Sequence, residues 1–399
     1  MSYLPLANIF HRKLRSVLCM LAVSIGIAML VVMLGLSHGT LNEVAQRMES
    51  VPAELLVLPR GESAIYMGGG TFGQGHEELI RETAINGQPA VKRIIPVFWL
   101  TDNLAGQKQR IYGVDHADAA TLFGNRPLLE GRLFDPEHTF ANAVQERAAA
   151  NGAYDTDAMP AELLEAGLEI VIDRRLQEVG GYALNDRVPM LGRTFTIVGI
   201  VETGVVGRVF APIQTLRHIA TTGIHRSTMF FVQLTDPDSA TAVTAAIEDG
   251  IGAQVVRKDS YRQILYESFS QVYTYINIAS GLALVVCFLF ILLTMYTLVL
   301  ERTREIGILR SLGATRRYIV RLAVEESLLL CTGGTLGGIG LAFLTKRILE
   351  HTLPLQTVDL NWRWVVVALF VGIVGGVGSA LYPGYRAARL DPATALAYE

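Results

Sequence analysis

Cysteine is scarce in this chain: Cys19, Cys287 and Cys331 are the three, and each lies inside an apolar run. The long middle segment has none, which excludes a disulfide framework there. A thiol in apolar surroundings acts as a small apolar side chain. Charge is scarce too, at 18% of residues against 51% hydrophobic. That balance is too apolar for an ordinary soluble enzyme and points to a membrane protein. Lys and Arg number 34 against 37 Asp and Glu, so no basic excess points to a nucleic-acid partner. Catalytic patterns are missing as well. No Walker A motif occurs, and the glycine-rich piece from Gly68 to Gly75 lacks the Gly-Lys-Ser/Thr ending, so it reads as a loop. The histidines are scattered without metal-ligand spacing, and His116, beside Asp115 and Asp118, reads as a surface turn. The chain itself reads as a non-enzyme.

What is present is apolar length. Val17–Leu36 carries no charge and is long enough to cross a bilayer. A basic amphipathic lead, residues 1–16, precedes it. A cleaved signal peptide competes with a retained helix here. The run is longer than a usual signal core and no Ala-x-Ala site follows, which favours retention. Three further uncharged runs come late: Ile276–Leu300, Ser327–Thr345 and Trp364–Tyr385. The organisation expected is therefore a lead (1–16), a first span (17–37), a middle domain (38–270), a second span (271–300), a link (301–317), a third span (318–345), a short loop (346–362), a fourth span (363–385) and a tail (386–399). Arginines and lysines precede the first span, fill the 301–321 link and follow the fourth span. By the positive-inside rule both termini and the link are cytoplasmic and the middle domain lies outside.

The middle domain reads as α+β. Strand-like runs recur at Glu54–Leu58, Arg93–Leu100, Gln109–Val114, Leu168–Ile172, Thr194–Val201 and Met229–Leu234. Turn formers such as Asp102-Asn103, Asn185-Asp186 and Leu191-Gly192 punctuate them. Phe230–Leu234, Ser239–Glu248 and Ala253–Val256 read as strand, helix, strand. Residues 136–166, rich in alanine and acids, read as an insertion or loop. Apolar residues at intervals of three and four from Ser260 to Tyr275 predict a helix running straight into the second span; a helix broken at the interface is the competing expectation.

Two features of the C-terminal third carry a physical reading. In the link, Ile306, Leu309 and Leu312 recur every three residues, which predicts one apolar strip on a short helix. Gly313 is placed as its C-cap and Thr315 as the N-cap of the next helix. A solvated loop whose arginines only follow topology is the plainer alternative. In the third and fourth spans, Gly334 with Gly338 and Gly372 with Gly376 form small-xxx-small pairs that favour close packing between spans or between subunits. Arg321 and Glu325, one turn apart, can pair.

The stretch ERTREIGILRSLGATRRYIVRLAVEESLLLCTGGTLGGIG resembles the signature of the MacB/FtsX-like ABC transporter permeases. The ending YPGYRAARLDPATALAYE resembles the family's C-terminal motif, here Pro392, Leu396 and Glu399, and LANIFHRKLRSVLCMLAVSIGIAM its first helix. LEGRLFD and VIDRRLQEVGGYALNDRVPMLGRTFTIVGIVE look like its periplasmic core module, with Asn185-Asp186 in place of the usual Gly-Asp. The resemblance implies four transmembrane helices, one N-terminal and three C-terminal, with a large α+β periplasmic domain inserted after the first, in a bacterial inner membrane. It implies a permease dimer, of identical chains or with a paralogue, and two ATPase copies that bind ATP and Mg²⁺. Arg304, Glu305, Ile306, Gly307, Leu309, Arg310, Leu312 and Gly313 match the link that docks on the ATPase. A periplasmic adaptor, membrane-fusion protein or carrier is a further implied partner. The implied action is mechanotransmission, in which ATP-driven closure reshapes the periplasmic domain and drives export or extraction of a lipid, lipoprotein, peptide, haem or drug. The alternative is an FtsX-like scaffold that activates a periplasmic cell-wall hydrolase.

Overall fold

The structure is a computed structural model that describes residues 13–63, 69–124, 126–135, 168–221, 224–301, 303–352 and 358–389. The amphipathic lead, the 136–166 insertion and the C-terminal Pro392, Leu396 and Glu399 lie outside the described residues or nearly so. The chain forms two compact units, residues 41–268 and residues 1–40 with 269–399. Helix α1, Lys13–Glu49, contributes residues to both.

The first of these units is built on a mixed ten-stranded sheet. Its elements are β1 (Leu55–Leu58), α2 (Gly75–Arg81), a small hairpin of β2 (Ala84–Ile85) and β3 (Gln88–Pro89), β4 (Val91–Leu104), β5 (Gln107–Val114), α3 (His116–Leu122), β6 (Leu128–Gly131), β7 (Glu169–Asp173), α4 (Arg174–Gly180), β8 (Arg187–Met190), β9 (Arg193–Val201), β10 (Val209–Pro212), α5 (Ile213–Thr221), β11 (Met229–Leu234), α6 (Ala240–Ile251), β12 (Gln254–Arg257) and α7 (Lys258–Ser268). Strand order runs β12-β1-β11-β4-β5-β10-β7-β9-β6, with β8 paired to β9. The β10–β5 and β7–β9 pairs are parallel. Alternation sorts the core: Leu55 and Val57 join Phe230, Val243 and Ile247 on one face, and Leu56 and Leu58 join Phe231, Val256 and Tyr261 on the other. Successive strand residues point to opposite faces, so a strand buried on both sides reads as a continuous apolar run.

Strand β4 is the spine of this unit. Residues 91–97 pair with β11 and residues 98–104 with β5. Asp102-Asn103, expected as a turn, lies inside this strand; the reversal comes at Ala105 (φ +50°) and Gly106 (φ +74°). Asp102 is held in the strand because its carboxylate accepts a hydrogen bond from the Leu191 N–H at the β8–β9 hairpin. Asn185 does occupy the left-handed region, with φ +69°. Asparagine tolerates that region better than most side chains, which explains how it replaces glycine there.

The other unit contains α1 up to Thr40, then α8 (Ser270–Glu301), α9 (Thr303–Ser311), α10 (Arg316–Thr352) and α11 (Trp362–Ala388). Among the described residues, four helices are long and apolar enough to cross a membrane: α1, α8, α10 and α11. The unbroken helix expected across 260–275 is not found. Helix α7 ends at Ser268, Phe269 is in a turn, and α8 starts at Ser270. Serine hydroxyls compete for backbone hydrogen bonds, and two of them flank this break. Helix α10 also continues through residues 346–352, expected as loop, with Lys346 and Glu350 paired at 3.7 Å across one turn.

Candidate functional site

The link after α8 is a helix with defined ends. Thr303 Oγ1 donates to the Leu300 carbonyl at 2.7 Å as the chain enters α9. At the other end Gly313 adopts φ +94°, a left-handed conformation that a side chain would strain. The Ala314 N–H then reaches the Leu309 carbonyl at 3.0 Å, the six-to-one closure of a Schellman ending. Two residues on, Thr315 Oγ1 accepts from the Tyr318 N–H at 3.3 Å and caps α10.

The apolar strip divides. Ile306 is buried, at 9% exposure, against Ile319, Ala387 and Ala388, so α9 is anchored on the start of α10 and the end of α11. Leu309 is half-buried, and Leu312 is 79% exposed. A strict three-residue spacing falls short of a full helical turn by about 60° per step, so Leu312 has rotated away from the row that Ile306 began. Leu312 instead shares a face with Ile308, four residues before it and also exposed. The sequence reading missed Ile308, although its i, i+4 relation to Leu312 was there to be read. Gly307 is buried. The side chains of Arg304, Glu305 and Arg310 lie outside what the structure describes; their backbone is part of α9. Arg321 Nε and Glu325 pair at 2.7 Å on the exposed first turns of α10.

Behind the link, the glycine pairs form two seams. A Cβ on Gly334 would lie 2.7 Å from Val23 Cβ, and one on Gly338 would lie 2.7 Å from the Ser24 carbonyl oxygen, both on α1. Ser24 Oγ donates to the Gly334 carbonyl at 2.8 Å along the same seam. Gly372 abuts Thr335, and a Cβ on Gly376 would lie 2.9 Å from Cys331 Cβ, so this pair joins α11 to α10. Ser327 Oγ donates to the Gly376 carbonyl at 2.8 Å. All four glycines pack spans within one chain.

The α+β unit carries charge where the sequence offered no pattern. Asp173, fully buried at the end of β7, caps α4 by accepting from the Leu176 N–H at 2.8 Å. The Arg47 and Arg208 guanidiniums approach its Oδ2 at 3.4 and 3.6 Å, and both also reach Glu43 at 2.8 Å. Burial pushes the Asp173 carboxyl above its ordinary value, with Arg208 and Arg47 pulling it down. A polar pocket of about 430 Å³ lies between α2, β4, α3 and α5. Arg93 pairs there with Asp118 at 2.7 Å. Arg217, 4% exposed, donates to the Arg226 carbonyl at 2.7 Å and to Ser227 Oγ at 2.9 Å. Its burial holds that guanidinium below its ordinary value. His116, expected as a surface turn, opens α3 instead: Asp115 caps the helix, and the imidazole Nδ1 lies 2.6 Å from the Phe134 carbonyl. Among the described residues, no three His, Cys, Asp or Glu side chains converge as a metal site.

Comparisons with known proteins match both halves of this architecture. Residues 16–249 match the model of the MacB-like periplasmic core domain, and residues 277–392 that of the FtsX-like permease C-terminal region. The chain is 23% identical over 411 residues to the macrolide export ATP-binding/permease protein MacB of Mannheimia succiniciproducens, covering 99% of this chain and 60% of that one. It is 25% identical over 412 residues to the pyoverdine export ATP-binding/permease protein PvdT of Pseudomonas putida, covering 97% and 58%. The chain thus spans about 60% of the length of these relatives. The periplasmic region of MacB from Actinobacillus actinomycetemcomitans overlays loosely, with a TM-score of 0.35 at 12% identity over 55% of this chain and 96% of that one. With the two domain models together spanning most of its length around four candidate membrane helices, the chain belongs to the MacB/FtsX-like family of ABC transporter permeases.

Proposed function

We propose that this chain is a non-catalytic permease part of an ABC transporter in a bacterial inner membrane, coupling ATP hydrolysis by an ATPase partner to movement of its α+β domain. In this reading α9 faces the cytoplasm with both chain termini, and the α+β domain is periplasmic. Two permease chains, identical or paralogous, stand on two ATPase copies that bind ATP and Mg²⁺. Closure of the ATPases displaces α9, and through its anchorage displaces α10 and α11. The substrate is exported or extracted on the outer side by mechanotransmission. MacB and PvdT are named as exporters of macrolides and of pyoverdine, which supports an export role here. A periplasmic adaptor or carrier fits the same scheme.

The observation that carries this reading is the two-sided character of α9. One face is anchored by Ile306, and the other exposes Ile308 and Leu312 on a helix stopped by Gly313. An exposed i, i+4 apolar pair at a helix end is the pattern by which one helix fits into a partner's groove. The experiment is co-purification of the ATPase with variants of the link. Leu312→Asp and Ile308→Asp are expected to abolish ATPase retention while the chain still inserts and purifies, and Glu305 or Leu309 replacements are expected to weaken it. Full ATPase retention by both aspartate variants would exclude α9 as the dock.

A further inference from the structure

A groove of about 580 Å³ lies where the start of α10 passes the end of α11. One ridge of its wall is graded along the helix axis. Arg316, Arg317 and Arg321 come from the first turns of α10, and Arg389 from just past α11. Val320 and Val324 continue the ridge that Arg316 begins, while Arg317, Arg321 and Glu325 keep the neighbouring ridge charged. Seven residues separate Arg317 from Val324, a rise of about 10 Å. That matches an amphiphile whose charged group and first acyl carbons lie side by side with the protein.

The charges are unbalanced. Four guanidiniums line the groove against one carboxylate, Glu325, which Arg321 already pairs at 2.7 Å. Among the described residues, Arg316 and Arg317 have no carboxylate partner. Arg389 lies over the Tyr385 ring at 4.3 Å, which fixes its guanidinium at the groove mouth. Guanidiniums present paired donors that match phosphate oxygens. Both helices are long and apolar enough to span a membrane, and the uncharged run of α10 begins at Ser327, two residues past its last groove residue, Glu325.

We propose that this groove binds one anionic phospholipid, its phosphate held by Arg316, Arg317 and Arg389 and an acyl chain laid along Val320 and Val324. A free anion would use the arginines and leave the valine wall unfilled. The graded ridge therefore assigns the occupant as a lipid rather than a soluble phosphate.

The test is native mass spectrometry of the full-length chain purified in mild detergent. The chain is incubated with equimolar phosphatidylglycerol and phosphatidylcholine of matched acyl chains. Preferential retention of phosphatidylglycerol is expected. Arg316→Ala with Arg317→Ala should lower that retention about thirtyfold, the factor for two arginines beside an anionic lipid. The double lysine variant should keep most of it. Val324→Trp, which leaves every charge in place, should lower it by blocking the acyl path. Arg363→Ala, in the first turns of α11 and far along that helix from Arg389, should leave it unchanged. Equal retention of the two lipids, an unaltered double alanine variant, or full displacement of phosphatidylglycerol by millimolar inorganic phosphate would each overturn the proposal. Matching melting curves of the variants without lipid separate lost binding from lost folding.

Discussion

Two glycines on α10, two residues apart, should respond to alanine in opposite directions. At Gly338 the added Cβ would fall 2.7 Å from the Ser24 carbonyl oxygen and 2.8 Å from Ile27 Cβ. Neither atom can rotate aside, because one is backbone and the other sits at the root of its side chain. The α1–α10 seam must therefore open by roughly 0.8 Å to restore an ordinary contact near 3.5 Å. An opening of that size forfeits about a quarter to a half of the dispersion attraction across the seam. It also stretches the 2.8 Å bond from Ser24 Oγ to the Gly334 carbonyl beyond useful length. Interhelical bonds of this kind contribute about 0.6 kcal/mol in membranes, and overpacking adds roughly 1–3 kcal/mol. Gly338→Ala should therefore destabilise the helical unit by about 2–3 kcal/mol. At Gly340 a Cβ would meet nothing within 4 Å, so Gly340→Ala should be neutral or stabilise by up to about 1 kcal/mol through helix propensity. The assay is reversible SDS unfolding of the purified chain in detergent micelles, followed by circular dichroism. Equal destabilisation by both variants, or a silent Gly338→Ala, would show that the close approach of α1 to α10 is not the native seam.

Two further outcomes concern the α+β unit. Arg208→Met should lower its stability by about 3 kcal/mol in denaturant unfolding, because fully buried Asp173 loses one of its two counter-charges. Adding Asp173→Asn, which can still cap α4, should recover part of that loss. The Tyr261 hydroxyl is pushed up by burial to about 12 from an ordinary 10.0. The unfolded chain therefore ionises first, so stability is full below pH 10 and falls as pH rises towards 12, by roughly 2–3 kcal/mol in all. Tyr261→Phe should remove that slope in melting curves recorded from pH 8 to 12, and an unchanged slope would assign it elsewhere.

Much of this architecture was legible in the residues themselves. Uncharged runs located the four membrane helices, because a charge inside hydrocarbon is costly whatever surrounds it. Apolar blocks bounded by turn formers located β1, β4, β5, β7, β9 and β11, and the ends of α9 and α10 followed from Gly313 and Thr315. These signals are local: each depends on residues within a few positions of one another. Strand β10 and helices α3 to α5 escaped because each is shorter than the stretch over which an apolar period shows, although Asp115 and Asp173 do cap α3 and α4. Asp102-Asn103 misled because its turn propensity yields to a cross-sheet bond with Leu191, 89 positions away.

What the sequence by itself determined is therefore the inventory: four spans around an α+β domain, a capped link with apolar residues, and glycines spaced for close packing. The folded chain alone decided which way each of these faces. The spacing of Gly333, Gly334, Gly337, Gly338 and Gly340 cannot say that Gly334 and Gly338 meet the α1 backbone while Gly340 meets nothing. Nor can it say that Leu312 turns outward beside Ile308 while Ile306 packs inward. Arg47, Asp173 and Arg208 converge although 126 positions separate the first two. Local preference fixes the backbone's shape, but the direction of a side chain's contacts depends on which distant helix or strand closes against it.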